Sequence, residues 1–278
     1  MRPFRLLALD LDGTVLGPSL LPSERTRAAI RAARDRGVLV VIATGRMYQS
    51  TVRHVRALDL PGPLICYQGA DVREMPGPDG RPGALLRHLT LPASVAREAV
   101  AWAREHGLGP HVNTDDRLIM EVGDREADEY ELGSSVIPNL VPDLMAAITV
   151  PVTKVLAVGR PGLPEGLLAA GRERFAGRAE VTVSHPQYLE FMAPGAHKGA
   201  ALTWLAARLR IPMAETMAIG DQHNDLEMLR SAGIGVAMGG APAAVVAAAD
   251  RVTAPVEEDG AALAIEALIL ADPGPRVH

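Results

Sequence analysis

The chain of 278 residues contains one cysteine, Cys66, which excludes an intramolecular disulfide and a cysteine-rich zinc site. Aromatic residues make up only 3% of it, so surfaces on which nucleobases could stack are scarce and the core must be built from Ala, Leu and Val. There is no dense basic cluster. The 28 Lys and Arg are outnumbered by 33 Asp and Glu, a net charge of −5, which argues against nucleic acid or an anionic membrane as the main partner. No apolar run approaches the ~18 residues needed to span a bilayer, and the N-terminal one is cut by Asp10 too early for a secretory signal. The expectation is a cytoplasmic protein, long enough for two domains.

What the sequence does contain is organised around Arg5-Leu6-Leu7-Ala8-Leu9-Asp10-Leu11-Asp12-Gly13-Thr14. A continuous apolar run of this kind fits a strand buried on both faces, and Asp10 and Asp12 stand where it stops. Residues i and i+2 of an extended backbone point to one side, so both carboxylates can lean into one cavity. A segment with helical spacing follows from Pro22 to Gly37, then a second apolar strand, Val38 to Ala43, ending in Thr44-Gly45-Arg46. A helix over Met47 to Leu58 and a third strand, Leu64 to Tyr67, complete a strand-helix alternation. Cys66 is expected to be a small buried residue of that third strand.

Parallel sheets built this way bind ligands at the carboxyl ends of their strands, where Asp10, Asp12 and Thr44 fall. Met75 to Gly83 is rich in turn formers and reads as a hairpin tip. From Leu91 to Pro194 the pattern changes to alternation, with helices over 93–106 and 165–175 and strands near His111 and over 118–122, 154–158, 180–184 and 188–192. The first unit then resumes. Lys198 opens a helix running to about Leu209, and the strand Thr216 to Ile219 ends in Gly220-Asp221-Gln222-His223-Asn224-Asp225. The strand Ile234 to Ala237, an Ala-rich helix over 243–249, Arg251-Val252-Thr253 and a helix over 259–270 close the chain.

The fold class expected is α/β: a Rossmann-like parallel sheet with helices on both faces, from residues 1–90 and 195–278, interrupted by a smaller inserted α/β cap domain, 91–194. Acids, a threonine and a lysine at strand ends and helix starts of one core suit a divalent metal and a phosphoryl group, since clustered carboxylates repel unless a cation joins them. Asp10 and Asp221 are the evident direct ligands. Lys198, the Thr44 hydroxyl and backbone N–H groups would supply donors to phosphoryl oxygens. A lysine at a helix N-terminus opposes the macrodipole, which itself suggests an anionic partner.

Asp10-Leu11-Asp12-Gly13-Thr14, Ala43-Thr44-Gly45-Arg46, Lys198 and Gly220-Asp221-Gln222-His223-Asn224-Asp225 resemble, in order and spacing, the four motifs of the haloacid dehalogenase superfamily of phosphohydrolases. The insertion between the second and third motifs, with Met238-Gly239-Gly240-Ala241-Pro242 and Asp259-Gly260, resembles its Cof-type branch, whose members carry a large α/β cap there. The resemblance implies a Mg²⁺-dependent phosphatase acting on a small phosphorylated metabolite such as a sugar phosphate, nucleotide or cofactor phosphate. It implies that Asp10 is the nucleophile forming an aspartyl-phosphate and Asp12 the acid and base. Thr44 and Lys198 would hold the phosphoryl group, with Gly45, Arg46 and Gln68 among the substrate contacts. Asp10, the backbone carbonyl of Asp12 and Asp221 would bind the metal, oriented by Asn224 and Asp225. A phosphotransferase or phosphomutase of the same superfamily, and a non-catalytic phosphometabolite-binding protein, are the alternatives.

The chain departs from the family where Gln68-Gly69-Ala70 replaces a common Asn-Gly-Ala and Gly239-Gly240-Ala241 a common Gly-Asn-Ala. In the cap, His111, Asn113, Arg117, His185, Gln187, Tyr188 and Glu190 are candidates for lining the substrate pocket, each with a structural role as its alternative. His223 reads as a surface residue. The substrate and the oligomeric state are left open.

Overall fold

The computed structural model describes residues 4–123 and 136–271. In chain order the first unit runs β1 (Leu6–Leu9), α1 (Glu24–Asp35), β2 (Leu39–Ile42), α2 (Tyr48–Ala57), β3 (Leu64–Cys66), β4 (Asp71–Arg73) and β5 (Leu85–His88). The central segment contributes α3 (Ala93–Glu105), β6 (Gly109–Thr114), β7 (Arg117–Glu121), β8 (Asn139–Val141), α4 (Leu144–Ala147), β9 (Lys154–Val158), α5 (Leu167–Arg174), β10 (Glu180–His185) and β11 (Tyr188–Met192). The chain then adds α6 (Lys198–Arg208), β12 (Thr216–Gly220), α7 (Leu226–Ser231), β13 (Ile234–Ala237), α8 (Ala243–Ala248), β14 (Arg251–Val252) and α9 (Gly260–Ile265). Among the described residues no helix is long and apolar enough to cross a membrane.

Five of these strands form a parallel sheet in the order β14-β13-β12-β1-β2. The apolar run at β1 is buried on both faces because its alternate residues serve two different clusters. Leu7 and Leu9 pack with Ile30 of α1, Val55 of α2 and Ile265 of α9, whereas Leu6 and Ala8 pack with Leu202 and Leu205 of α6 and Leu229 of α7. Helices therefore cover both faces, as the unbroken apolar pattern required. α1 shows the local logic: Ser23 Oγ accepts from the Thr26 N–H at 3.0 Å, capping the helix, and Thr26, Ala29, Ile30 and Ala33 bury one stripe. Asp10 follows β1, Thr44 follows β2 by two residues and Asp221 follows β12, so three neighbouring parallel strands deliver them to one edge.

A second sheet, in the order β10-β11-β9-β6-β7-β8, is antiparallel except for the β7–β8 pair. It has its own core, in which Trp102, Phe175 and Phe191 meet edge to face at centroid distances of 5.0–6.0 Å. Antiparallel pairing of Leu91 with Val152 marks where the chain crosses into this unit. β3, β4 and β5 make a small antiparallel sheet whose β4–β5 connection is the turn-rich stretch 75–83.

Two details differ from the sequence reading. The third strand stops at Cys66, because Tyr67 and Gln68 turn with φ of 50° and 58°. The final helix narrows to Gly260–Ile265 and widens into a π-type turn over Glu266–Leu270. β8 and α4 carry no apolar periodicity long enough to announce them. The tail from Asp272 lies outside the described residues.

Candidate active site

At the carboxyl edge of the parallel sheet, carboxylate oxygens of Asp10, Asp221 and Asp225 all lie within 4.8 Å of one another. Lys198, the first residue of α6, is completely buried between them; its Nζ donates to Asp10 Oδ1 and, at 2.6 Å, to Asp225 Oδ1. The other Asp225 oxygen accepts the backbone N–H groups of Asp221 and Gln222, each at 3.0 Å. Both Asp225 oxygens are therefore committed, and Asp10 and Asp221 are the acids left to meet a cation. Asp221 accepts the Thr14 hydroxyl at 3.1 Å and is hydrogen-bonded to the Asp10 carboxyl.

The chain makes room for this crowding with glycine. Gly13 has φ +83°, and a Cβ there would stand 2.4 Å from Asp221 Oδ2; one at Gly220 would stand 2.5 Å from Asp225 Cγ.

The electrostatics follow from burial. Desolvation pushes the Asp10 carboxyl well above its ordinary range, Lys198 pulls it back, and Asp225, Asp221 and Asp12 add repulsion. Asp221 is pushed up to about 6, chiefly by burial and then by Asp225, against the pull of Lys198. Burial alone would lower the Lys198 ammonium; Asp10 and Asp225 outweigh it and hold the lysine charged. A site whose carboxylates resist ionisation next to a single buried lysine is short of positive charge, which suits a bound metal ion.

Asp12 points elsewhere. Arg46 grips it with both arms, Nε to Oδ2 at 2.6 Å and Nη2 to Oδ1 at 2.7 Å. The same guanidinium reaches Ser50 Oγ and His54 Nε2, each at 3.4 Å, and burial with the nearby arginine lowers the His54 pKa. Thr44 is buried, its hydroxyl accepting the Arg46 N–H at 3.2 Å. Above these groups lies a cavity of about 280 Å³, lined on the parallel-sheet side by Asp10, Asp12, Thr44, Gly45, Arg46, Gln222 and Asn224. The second sheet closes it with Lys154, Leu156, Ser184, His185, Tyr188 and Glu190.

Of the seven candidates in that segment, His185, Tyr188 and Glu190 line the cavity, and His111, Asn113, Arg117 and Gln187 do not. Gln68 is buried behind Gly45, between Asn224 and Glu190. His223 is exposed and Cys66 is buried, its thiol pushed up by desolvation. Sequence reasoning missed Lys154, whose only signal is a lysine opening the otherwise apolar strand Lys154-Val155-Leu156-Ala157-Val158. It also missed Asp116. From the β6–β7 turn, its carboxylate accepts the N–H groups of Tyr48 and Gln49 at 3.1 Å and the Tyr67 hydroxyl at 2.8 Å. An acid of the second sheet thus caps α2, which has no cap of its own.

The family profile of haloacid dehalogenase-like hydrolases matches residues 7–265. The chain belongs to that family. A 5-amino-6-(5-phospho-D-ribitylamino)uracil phosphatase of Bacillus subtilis is 31% identical over 268 residues, covering 92% of this chain and 94% of the relative. The HMP-PP phosphatase of Serratia proteamaculans is 33% identical over 241 residues, covering 86% and 85%. A crystal structure of a haloacid dehalogenase-like hydrolase from Bacteroides thetaiotaomicron superposes with a TM-score of 0.80 at 29% identity, over 95% of this chain and 99% of that one. The family, the order of motifs and the fold agree on a haloacid dehalogenase-type phosphohydrolase of the Cof-type branch.

Proposed function

We propose that the chain hydrolyses phosphate monoesters of small metabolites through an aspartyl-phosphate on Asp10, with Mg²⁺ as cofactor. The observation carrying this reading is the meeting of Asp10 and Asp221, at the ends of adjacent parallel strands, with Asp225 and the buried Lys198 beneath a cavity roofed by the second sheet. Residues 1–90 and 195–278 form the catalytic core, and 91–194 form the cap that selects the leaving group. In this reading Asp10 Oδ attacks phosphorus while the ester oxygen departs. Asp12 gives that oxygen its proton, then takes one from the water that attacks the phosphorus of the aspartyl-phosphate, releasing phosphate and restoring Asp10. Lys198 and the Thr44 hydroxyl hold the phosphoryl oxygens, and Lys198 keeps Asp10 aimed. Because Arg46 occupies both Asp12 oxygens, Asp12 must release one of its two bonds to handle a proton.

Mg²⁺ would be held by Asp10, Asp221 and the main-chain carbonyl of Asp12, supplying charge to offset the phosphate and the acids. The small size of the cavity supports a metabolite rather than a macromolecule, and the activities for which the two phosphatase relatives are named are of that class. The test is phosphate release from a panel of phosphorylated metabolites with Mg²⁺. Asp10→Asn and chelation should each abolish release, the chelated enzyme recovering on readdition of Mg²⁺; full activity in either would overturn the mechanism.

A further inference from the structure

Lys154 and Glu190 are side by side on β9 and β11, each 3% exposed, joined by an Nζ–Oε1 contact of 2.8 Å. A buried ion pair is tolerated only when every remaining hydrogen-bonding group is satisfied. Here the remaining partners come from the other sheet. Lys154 Nζ donates to the Gly45 carbonyl at 3.1 Å, and Glu190 Oε2 accepts from Gln68 Nε2 at 2.6 Å. Separating the two sheets would break both of these bonds, so the pair ties one relative position of the sheets.

Gln68 is built to make this contact. Its backbone lies in the left-handed region that L side chains disfavour, held there by its N–H on the Thr44 carbonyl at 3.0 Å and by the Tyr67 N–H on the Arg46 carbonyl at 3.0 Å. Gly45 leaves the path clear, since a Cβ there would stand 2.2 Å from Gln68 Nε2. On its far side Gln68 Oε1 accepts Asn224 Nδ2 at 2.9 Å, from the loop that carries Asp221 and Asp225. Asn224 lines both the site cavity and a second cavity of about 430 Å³, which Gln68 also lines, so the Gln68–Asn224 bond stands in the partition between them. One side chain thus spans both Asn224 and Glu190.

We propose that Gln68 is a positioning residue, the link of a buried clasp, Lys154–Glu190–Gln68–Asn224, that fixes the second sheet over the catalytic edge and ties its position to the Asp221–Asp225 loop. The inference deepens the phosphatase reading and rests on it for its kinetic consequence only. The clasp sets where the ceiling of the cavity stands, so it governs a leaving group that reaches the ceiling more than one that does not.

Three variants test it: Gln68→Leu, which removes both bonds; Gln68→Glu, which sets two carboxylates face to face; and Gln68→Glu with Glu190→Gln, which reverses donor and acceptor and restores the chain of bonds. Hydrogen–deuterium exchange of the peptides covering 154–158 and 188–192 should quicken in both single variants and return toward wild type in the double variant. In parallel, KM for p-nitrophenyl phosphate should rise about 10-fold more than KM for acetyl phosphate in Gln68→Leu, a split that a loss of folded enzyme would not produce. Unchanged exchange in the single variants, no recovery in the double variant, or equal losses on both probes would overturn the clasp. A wild-type enzyme that hydrolyses neither probe would refute the phosphatase reading alone, and the exchange measurement would still decide the clasp.

Discussion

Asp225 touches neither the cavity nor any phosphoryl oxygen in the proposed mechanism, yet it should be the costliest of the four acids to alter for stability. It is fully buried and makes three contacts: the Lys198 ammonium at 2.6 Å and the N–H groups of Asp221 and Gln222 at 3.0 Å. Asp225→Asn keeps the shape and one acceptor oxygen, which the two N–H groups can share. Its amide NH2 then faces Lys198, a donor against a cation. Removing one partner of a buried ion pair costs roughly 3–5 kcal/mol. Lys198 keeps Asp10, so the lower end, about 3 kcal/mol, applies here. At roughly 2–4 °C per kcal/mol for a chain of this size, Tm should fall by about 6–12 °C. Differential scanning calorimetry of wild type and variant at pH 7.5 with Mg²⁺ measures it directly. A fall of less than about 2 °C would refute the view that Asp225 is the counter-charge that makes a buried lysine tolerable.

Asp221 carries the pH dependence. With its pKa pushed up to about 6 in the fold, against about 3.9 in an unfolded chain, the folded protein holds the extra proton between those values, so its metal-free stability falls as pH rises through that window. The integrated loss is on the order of 2–3 kcal/mol. A bound divalent cation offsets it, so the Tm gain on adding Mg²⁺ should be several degrees larger at pH 7.5 than at pH 5; equal gains would contradict it. Arg46→Lys keeps a charge but replaces two parallel bonds on Asp12 with one at best. Turnover of alkyl phosphates, whose leaving oxygen needs a proton, should drop roughly 10- to 100-fold, and that of p-nitrophenyl phosphate much less, as measured by phosphate release.

The core of the site was legible because its residues are punctuation. Asp10, Thr44 and Asp221 each interrupt an apolar run, and a parallel sheet turns three such interruptions into one edge. Lys198 was legible for a related reason, as a cation where a helix start disfavours one. The partner each group chooses was not legible. Arg46 stands next to a phosphate-holding threonine and reads as a substrate contact; it does line the cavity, but nothing local announces that its Nε and Nη2 hold Asp12, 34 residues earlier. Lys154 reads only as the first residue of a strand. It is buried because its ammonium meets the Gly45 carbonyl and Glu190, a placement set by how the two sheets meet. Asp116 is the same case: a turn aspartate reads as a turn former, and nothing local says that it caps a helix 67 residues away. Periodicity reports burial within an element, whereas these contacts lie between elements far apart in sequence.

The charges at this edge also couple the proposed cation to the phosphate ester. Asp10, Asp12, Asp221 and Asp225 are four acids; Lys198 and Arg46 are two cations, and both already serve acids. Fully ionised, the site would carry two uncompensated negative charges, and a phosphate monoester would bring up to two more into a cavity roofed by the second sheet. Protonating Asp10 or Asp221 would relieve the repulsion, but a protonated Asp10 is no nucleophile. A divalent cation relieves it while leaving the nucleophile ionised, because it draws down the pKa of the acids it touches. A cation held by Asp10, Asp221 and the Asp12 carbonyl would therefore raise the ester's affinity, and the ester would raise the cation's by the same factor.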